Sequence, residues 1–161
     1  MNELYLGLGS NEGNRGANLA LVLRLLRKRL GLVVKESKIY ETAAWGKTDE
    51  PNYYNQVVVV KTTLPILEAF KECQIIEQKM GRVRQEKWEA RVIDVDLLYF
   101  NEEVMNGPEL TLPHALLPER NFVLYPLVEI APEKKHPVLG KTQAELLEAC
   151  TDTAAVKVLE Q

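Results

Sequence analysis

Four consecutive β-branched residues, Val57-Val58-Val59-Val60, constrain this chain more than any other feature. Such a run crowds a helix and is typical of a central strand, so a strand is predicted over Tyr53–Thr62. Its neighbours can be read from the flanking periodicity. Leu4, Leu6 and Leu8 alternate as in a half-buried strand. Residues 9–14 are turn chemistry, with Asn14 placed to cap a helix. Leu19, Val22, Leu23, Leu26 and Leu30 then repeat at helical spacing up to Gly31, a natural stop. Residues 32–40 read as a second strand and 41–52, with Gly46 and Pro51, as a loop. After the valine strand, Thr63 is predicted to cap a second helix, with Pro65 in its first turn and an end near Met80-Gly81. Residues 82–91 read as a loop and 92–100 as a fourth strand.

The order β-α-β-β-α-β predicts an α+β chain, a ferredoxin-like βαββαβ sandwich in which two helices cover one face of a four-stranded antiparallel sheet. The last sixty or so residues are broken by Pro108, Pro113, Pro118, Pro126, Pro132 and Pro137. They predict an irregular, short-helix C-terminal extension: helical turns over 119–130 interrupted at Pro126, a capping box from Thr142 and Glu145 before Leu146-Leu147, and a short closing strand over 155–159. With no repeat, low-complexity tract or long linker, residues 1–161 are predicted to form a single domain.

Composition narrows the function classes. The chain has 161 residues, 46% hydrophobic and 27% charged, enough apolar material to offset the entropy of ordering. No apolar run approaches the roughly 20 residues of a membrane span. Lys and Arg number 20 against 23 Asp and Glu, a net charge of -3. A general nucleic-acid binder would be basic, so any anion bound here must meet a local cluster of cations. Cys73 and Cys150 form no disulfide framework or zinc pattern and read as small thiols in helix-like segments. The chain runs at once into a strand, with no basic-then-apolar leader; a soluble, reduced, cytoplasmic protein is expected.

The strongest chemical signal is Asp94-Val95-Asp96. Along a strand side chains alternate, so Ile93, Val95, Leu97 and Tyr99 are expected on one face and Asp94 and Asp96 on the other. Two residues of rise separate the carboxylates by roughly 6–7 Å. Like charges that close call for a cation between them, and hard oxygen ligands suit Mg²⁺ held together with substrate phosphates; a solvated strand end is the alternative. The preceding loop carries Arg82, Arg84, Lys87 and Arg91. It is either a solvated charged loop or a phosphate clamp leading into the carboxylate pair. Trp88, odd in so polar a loop, fits a ring that closes over a ligand. On the second helix Ile66, Phe70, Cys73, Glu77 and Met80 share a stripe, so Glu77 needs either a structural hydrogen bond or a ligand, with Gln74 at the stripe's edge. Tyr53 and Asn55 share one face of the third strand, as core packing or as an aromatic plate beside an amide. His114, near Arg120 and Phe122, suits either phosphate contact or plain exposure, and His136 after two lysines reads as solvated. Gly7 and Gly9 follow a strand, but Glu12 breaks the dinucleotide fingerprint.

These segments together resemble the 6-hydroxymethyl-7,8-dihydropterin pyrophosphokinase family of folate biosynthesis over nearly the whole chain. The likeness is carried by Leu8-Gly9-Ser10-Asn11, Tyr40-Glu41-Thr42, Tyr53-Tyr54-Asn55, Gly81-Arg82-Val83-Arg84, Arg91-Val92-Ile93-Asp94-Val95-Asp96-Leu97-Leu98, and Pro113-His114 followed by Glu119-Arg120-Asn121-Phe122. It implies Mg²⁺-dependent transfer of a diphosphate from ATP, the co-substrate, to the pterin's hydroxymethyl group, leaving AMP. By that likeness Asp94 and Asp96 would hold two Mg²⁺ and, with Arg82 and Arg91, make up the catalytic set. Phe70, Gln74, Glu77, Arg84, Trp88, Leu97, Thr111, His114 and Arg120 would line the ATP site. Thr42, Ala43, Trp45, Tyr53, Asn55 and Phe122 would hold the pterin, stacked between Tyr53 and Phe122. Ala43-Ala44-Trp45 stands where the family has a proline-rich start to its pterin loop. The expected partners are these two small molecules, not nucleic acid or membrane, and the expected state is a monomer. A ligand-sensing module and an RNA binder of the same topology are the competing readings.

Overall fold

The computed structural model describes residues 1–43, 51–81 and 92–159. In chain order these form β1 (Asn2–Ser10), α1 (Arg15–Arg29), β2 (Gly31–Glu36), β3 (Tyr40–Thr42), β4 (Tyr53–Thr62), α2 (Ile66–Gly81), β5 (Asp94–Phe100), β6 (Met105–Asn106), β7 (Thr111–Leu112), a 3-10 turn at Leu117–Glu119, α3 (Asn121–Ile130), α4 (Gln143–Ala149) and β8 (Val156–Val158). The architecture is mixed α/β: an antiparallel sheet in the order β5-β1-β4-β3-β8, with β2 also paired to β4, and four helices. A separate two-stranded ladder joins β6 to β7.

The valine run explains the layering. Val57 to Val60 are each at most 1% exposed. Val58 and Val60 pack with Leu4, Leu6 and Leu8 against Leu19, Val22 and Leu26 of α1 and Ala69, Cys73 and Ile76 of α2. Val57 and Val59 pack with Tyr5, Leu98 and Tyr99 against Val123, Leu124 and Leu127 of α3 and Leu146 of α4. Burying such a side chain is worth about 1.5–3 kcal/mol, and the run is buried on both faces. The C-terminal part, expected as an irregular extension, is therefore the second helical layer.

Local expectations fare unevenly. Asn14 Oδ1 accepts from Ala17 N at 3.0 Å, and Arg27, Lys28 and Arg29 meet the negative end of α1. The Thr142–Glu145 capping box is present. The second helix starts at Ile66, which puts Pro65 rather than Thr63 at its boundary, the Pro65 carbonyl accepting from Ala69 N at 2.9 Å; the Thr62 hydroxyl closes the turn before it, accepting from Leu64 N at 3.1 Å and donating to the Leu30 carbonyl at 2.7 Å. The strand expected over 32–40 is two. Ser37 separates them, its Oγ accepting from Val57 N at 2.9 Å where the ladder is interrupted; β2 pairs with Val58–Thr62 and β3 with Tyr53–Asn55. Pro126 does not interrupt α3. It is the sixth residue, costs one bond to the Phe122 carbonyl, and sits among buried Val123, Leu124 and Leu127.

Two side chains lie elsewhere than periodicity predicts. A bulge opposite Tyr5/Leu6 pairs Leu6 with Leu97 and Tyr5 with Tyr99, leaving Leu98 extra. Tyr99 thus leaves the face of Val95 and Leu97, meets Tyr5 edge-on at 5.6 Å and accepts from Gln143 Nε2 at 2.7 Å. His136, expected in solvent, is 6% exposed. Its Nδ1 accepts from Val138 N and Leu139 N, and its ring lies 5.9 Å from that of Tyr99.

The α1–β2 junction gives a direct test. Gly31 has φ +155°, and a Cβ there would collide with the Lys61 carbonyl oxygen. Gly31→Ala is expected to destabilise the fold by about 1–3 kcal/mol, read as a lower urea midpoint, while turnover per folded molecule stays unchanged because Gly31 pairs with Thr62, at the opposite end of β4 from Tyr53 and Asn55.

Candidate functional site

The candidate site is laid out by the register of β1 with its neighbours. Gly9 pairs with Asp94 on one side and Asn55 on the other, and Gly7 with Asp96 and Val57. Directly opposed residues in an antiparallel ladder share a face, so Asp94, Asp96 and Asn55, together with Tyr53 two residues from Asn55, lie on the face that α3 covers. The β1 glycines leave the ground between them low. A Cβ on Gly9 would come within 3.0 Å of Asn55 Oδ1 and 3.4 Å of the Tyr53 ring. The sequence places Gly9 in a turn and in the Leu8-Gly9-Ser10-Asn11 likeness, and both glycines in a failed dinucleotide motif; the structure keeps them in β1, and the signal that reveals their part is their register against Asp94 and Asp96.

At the β4 end, Asn55 Nδ2 donates to Thr42 Oγ1 at 2.7 Å. Both residues are buried, at 8% and 4% exposure, and the bond leaves Asn55 Oδ1 on the Gly9 side as an acceptor. Tyr53 and Phe122 are half-buried and Ala43 is exposed. Phe122 lies in the first turn of α3, with the Arg120 guanidinium 5.6 Å from its ring centroid. Ties from the β1–α1 connection and the start of α1 hold the chain ahead of Tyr53: Asn11 Nδ2 donates to the Pro51 carbonyl at 3.1 Å and Arg15 to that of Asn52 at 2.7 Å.

At the β5 end the carboxylates stand on an edge strand, whose outer backbone groups need partners. Glu77 of α2 supplies one: its Oε2 accepts from Val95 N, between the two aspartates, at 2.7 Å. His114 N supplies another, donating to the Leu98 carbonyl at 3.0 Å. His114 Nδ1 accepts from Leu116 N at 3.2 Å, so the neutral ring carries its proton on Nε2. Burial pushes the His114 pKa below 6.5; the Asp96 carboxylate opposes this and the Arg120 guanidinium reinforces it. Asp96, His114 and Arg120 therefore sense one another. The same negative field, added to burial, pushes the Cys73 thiol up to about 12, which leaves it an inert core group.

The sequence-predicted site residues thus fall into groups. Asp94, Asp96, Glu77, His114 and Arg120 are brought together around β5, and Tyr53, Asn55 and Thr42 form a second cluster across Gly9. Phe70 packs against the α1/α2 core that contains Leu97, itself 3% exposed. Gln74, expected at the stripe's edge, is exposed, as is Thr111 on β7. Arg82, Arg84, Trp88, Arg91 and Trp45 lie outside the described residues. The donor set fits magnesium: two carboxylates, oxygen only, side by side on one face. Mg²⁺ is usually held by one or two carboxylates together with water and substrate phosphates.

Residues 5–132 match the family model described as 7,8-dihydro-6-hydroxymethylpterin-pyrophosphokinase. The chain belongs to this family. It is 42% identical over 161 residues to the 2-amino-4-hydroxy-6-hydroxymethyldihydropteridine pyrophosphokinase of Methylorubrum extorquens, covering 99% of this chain and 100% of that one. Proteins of the same name from Aquifex aeolicus, over 90% of each chain, and Bacillus subtilis, over 99% of this chain and 92% of that one, are 37% identical. A crystal structure of HPPK-DHPS in complex with substrates shares the fold at TM-score 0.74 and 18% identity, over 92% of this chain but 43% of that longer one. The protein is accordingly a pyrophosphokinase that acts on hydroxymethyldihydropterin in folate biosynthesis.

The imidazoles give a prediction with a sign. Both His114 and His136 are held below 6.5 by burial, so the unfolded chain binds protons more readily than the folded one. Stability is then complete above pH 6.5 and falls as pH drops below it. Ring-proton NMR should show both histidines titrating below 6.5. His136→Gln should flatten the fall in urea midpoint between pH 7 and pH 5; an unchanged slope would exclude His136 from it.

Proposed function

We propose that the face bounded by Asp94, Asp96, Asn55, Tyr53 and Phe122 is where diphosphate passes from ATP to the pterin. The observation that carries this reading is the register that sets the carboxylate pair directly across Gly7 and Gly9 from Asn55 and Val57. Asp94 and Asp96 would hold two Mg²⁺, which when bound neutralise phosphate charge and polarise the attacking and leaving oxygens. Glu77 fixes the strand between the pair. His114, donating from Nε2, and Arg120 meet phosphate oxygens, with Arg82, Arg84 and Arg91 assigned the same work and Phe70, Gln74, Trp88, Leu97 and Thr111 the nucleoside side. Tyr53 and Phe122 stack the pterin, while Asn55 Oδ1, Thr42, Ala43 and Trp45 read its edge. The hydroxymethyl oxygen attacks the β-phosphorus, the bond from that phosphorus to the oxygen bridging the α-phosphate breaks, and AMP leaves as the hydroxyl proton passes to solvent. Such a transfer asks the protein for alignment and charge neutralisation. The sheet order supports a ferredoxin-like description, extended by β8 and the α3/α4 layer. A single catalytic unit over 1–161, working as a cytoplasmic monomer, completes the reading; among the described residues no helix is long and apolar enough to cross a membrane.

Product analysis tests the reaction. Incubation with ATP, Mg²⁺ and 6-hydroxymethyl-7,8-dihydropterin should yield AMP; ADP would indicate single-phosphate transfer and overturn the mechanism. Asp94→Asn and Asp96→Asn should each lower turnover by roughly a thousandfold, the scale of several kcal/mol of charge stabilisation, with thermal stability kept. A folded variant with near-normal turnover would remove the metal assignment.

The aromatic plates separate the two substrates. A ring stack contributes about 0.5–1.5 kcal/mol beyond burial, so Tyr53→Ala should weaken pterin binding several-fold while leaving a non-hydrolysable ATP analogue bound as before. Equal losses of both ligands would assign Tyr53 to folding instead.

A further inference from the structure

The start of α3 is held by a segment more than thirty residues further along the chain. Arg120, the residue at its N-terminal boundary, makes no side-chain capping bond. The first helical amide, Asn121 N, donates instead to Asp152 Oδ2 at 3.1 Å. The Asn121 side chain, 4% exposed, donates from Nδ2 to the carbonyls of Asp152 at 3.1 Å and Ala154 at 2.7 Å. Asp152 Oδ1 accepts from Ala154 N at 3.0 Å. One carboxylate thus caps α3 with one oxygen, where the helix dipole favours negative charge, and closes its own turn with the other.

Two residues beyond that turn the chain becomes β8 and pairs with β3. Val156 faces Thr42 and Val158 faces Tyr40, and Leu159 N donates to the Ile39 carbonyl at 2.8 Å. Thr42 in turn faces Tyr53 and accepts the Asn55 bond. Residues 152–159 therefore form a clip running from the helical residue just before Phe122 to the strand that supports Tyr53 and Asn55. The far end of α3 is tied to the same strand independently: Glu129 accepts from Lys38 N and, at 2.7 Å, from the Tyr40 hydroxyl. With the far end fixed there, Asp152 sets where the near end begins, and with it the ring of Phe122.

We propose that Asp152 is a positioning residue for the pterin, acting through Asn121 to set the gap between Phe122 and the Tyr53–Asn55–Thr42 wall. This rests on the pterin assignment above. A flat heterocycle stacks well only over a narrow range of ring separations, so a displaced helix start weakens pterin binding. Asp94 and Asp96 are unaffected, because the bonds of Asp152 and Asn121 run to each other and to Ala154, not to β5, which is held by β1, Glu77 and His114.

The test compares wild type, Asp152→Ala and Asp152→Asn by titration with 6-hydroxymethylpterin and, separately, with α,β-methylene-ATP in Mg²⁺, alongside melting temperatures. The pterin Kd should rise roughly tenfold in Asp152→Ala and by a smaller factor in Asp152→Asn, which keeps one acceptor oxygen, as for loss of a helix cap; the nucleotide Kd should stay within about twofold. Equal weakening of both ligands, or unchanged pterin binding in a folded variant, overturns the proposal. Should Asp152→Ala not fold, the ratio of the two constants in Asp152→Asn decides by the same criterion. A wild type that binds the nucleotide but not the pterin overturns the slot assignment itself, and this inference with it.

Discussion

The register of β1 between β4 and β5 is the constraint on which the rest depends. Side chains alternate along a strand, so a slip of one residue moves every side chain to the other face. Here that slip would carry Asp94 and Asp96 into the α1/α2 core, where Val95 and Leu97 now lie. Burying an unpaired carboxylate costs several kcal/mol, and the displaced Val and Leu side chains would forfeit about 1.5–3 kcal/mol each. Core packing and site chemistry penalise the same error. Gly9 carries the reciprocal condition, since a Cβ there would press on Asn55 Oδ1 and the Tyr53 ring where they lean over the strand.

The edge position of β5 turns a structural liability into part of the site. An open strand edge invites pairing with another chain. This one is occupied by the Glu77 carboxylate on Val95 N and by the His114 amide on the Leu98 carbonyl. The carbonyl taken by His114 belongs to the bulge's extra residue, so the irregularity that sends Tyr99 to the other face also anchors the loop carrying the imidazole. The negative charge gathered at Asp94, Asp96 and Glu77 draws cations to this edge, where the Arg120 guanidinium already lies close to His114.

What the sequence could disclose follows from how local each determinant is. The valine strand, the Asn14 cap and the Thr142–Glu145 box are decided within a few residues, and each stands as periodicity and capping chemistry predict. The Tyr99 face and the two-part strand around Ser37 were not legible, because a bulge and a side-chain substitute for a ladder bond are decided by the partner strand. His136 read as solvated because its neighbours Lys134 and Lys135 are charged; yet Lys134 itself lies 4.8 and 4.7 Å from the Tyr5 and Tyr99 ring centroids, its charge over aromatic faces rather than in water. In the site, the Asp-x-Asp alternation was readable alone. The grouping of His114 and Arg120 with it, and of Thr42 with Asn55, came from the family resemblance and not from spacing, since those pairs are joined only by strand order and the α3 layer.

The second helical layer shows why core and site are not separable here. Phe122 begins the same helix that buries Val123, Leu124 and Leu127 against Val57 and Val59, and Val57 is the residue across Gly7 from Asp96. A shift of α3 as a whole would therefore uncover apolar area on the face that also carries the carboxylates. Close-packed interiors resist such shifts, so the body of α3 is held by the core beneath it, and its first turn, where Phe122 is only partly buried, is the part left for the Asp152 contact to set.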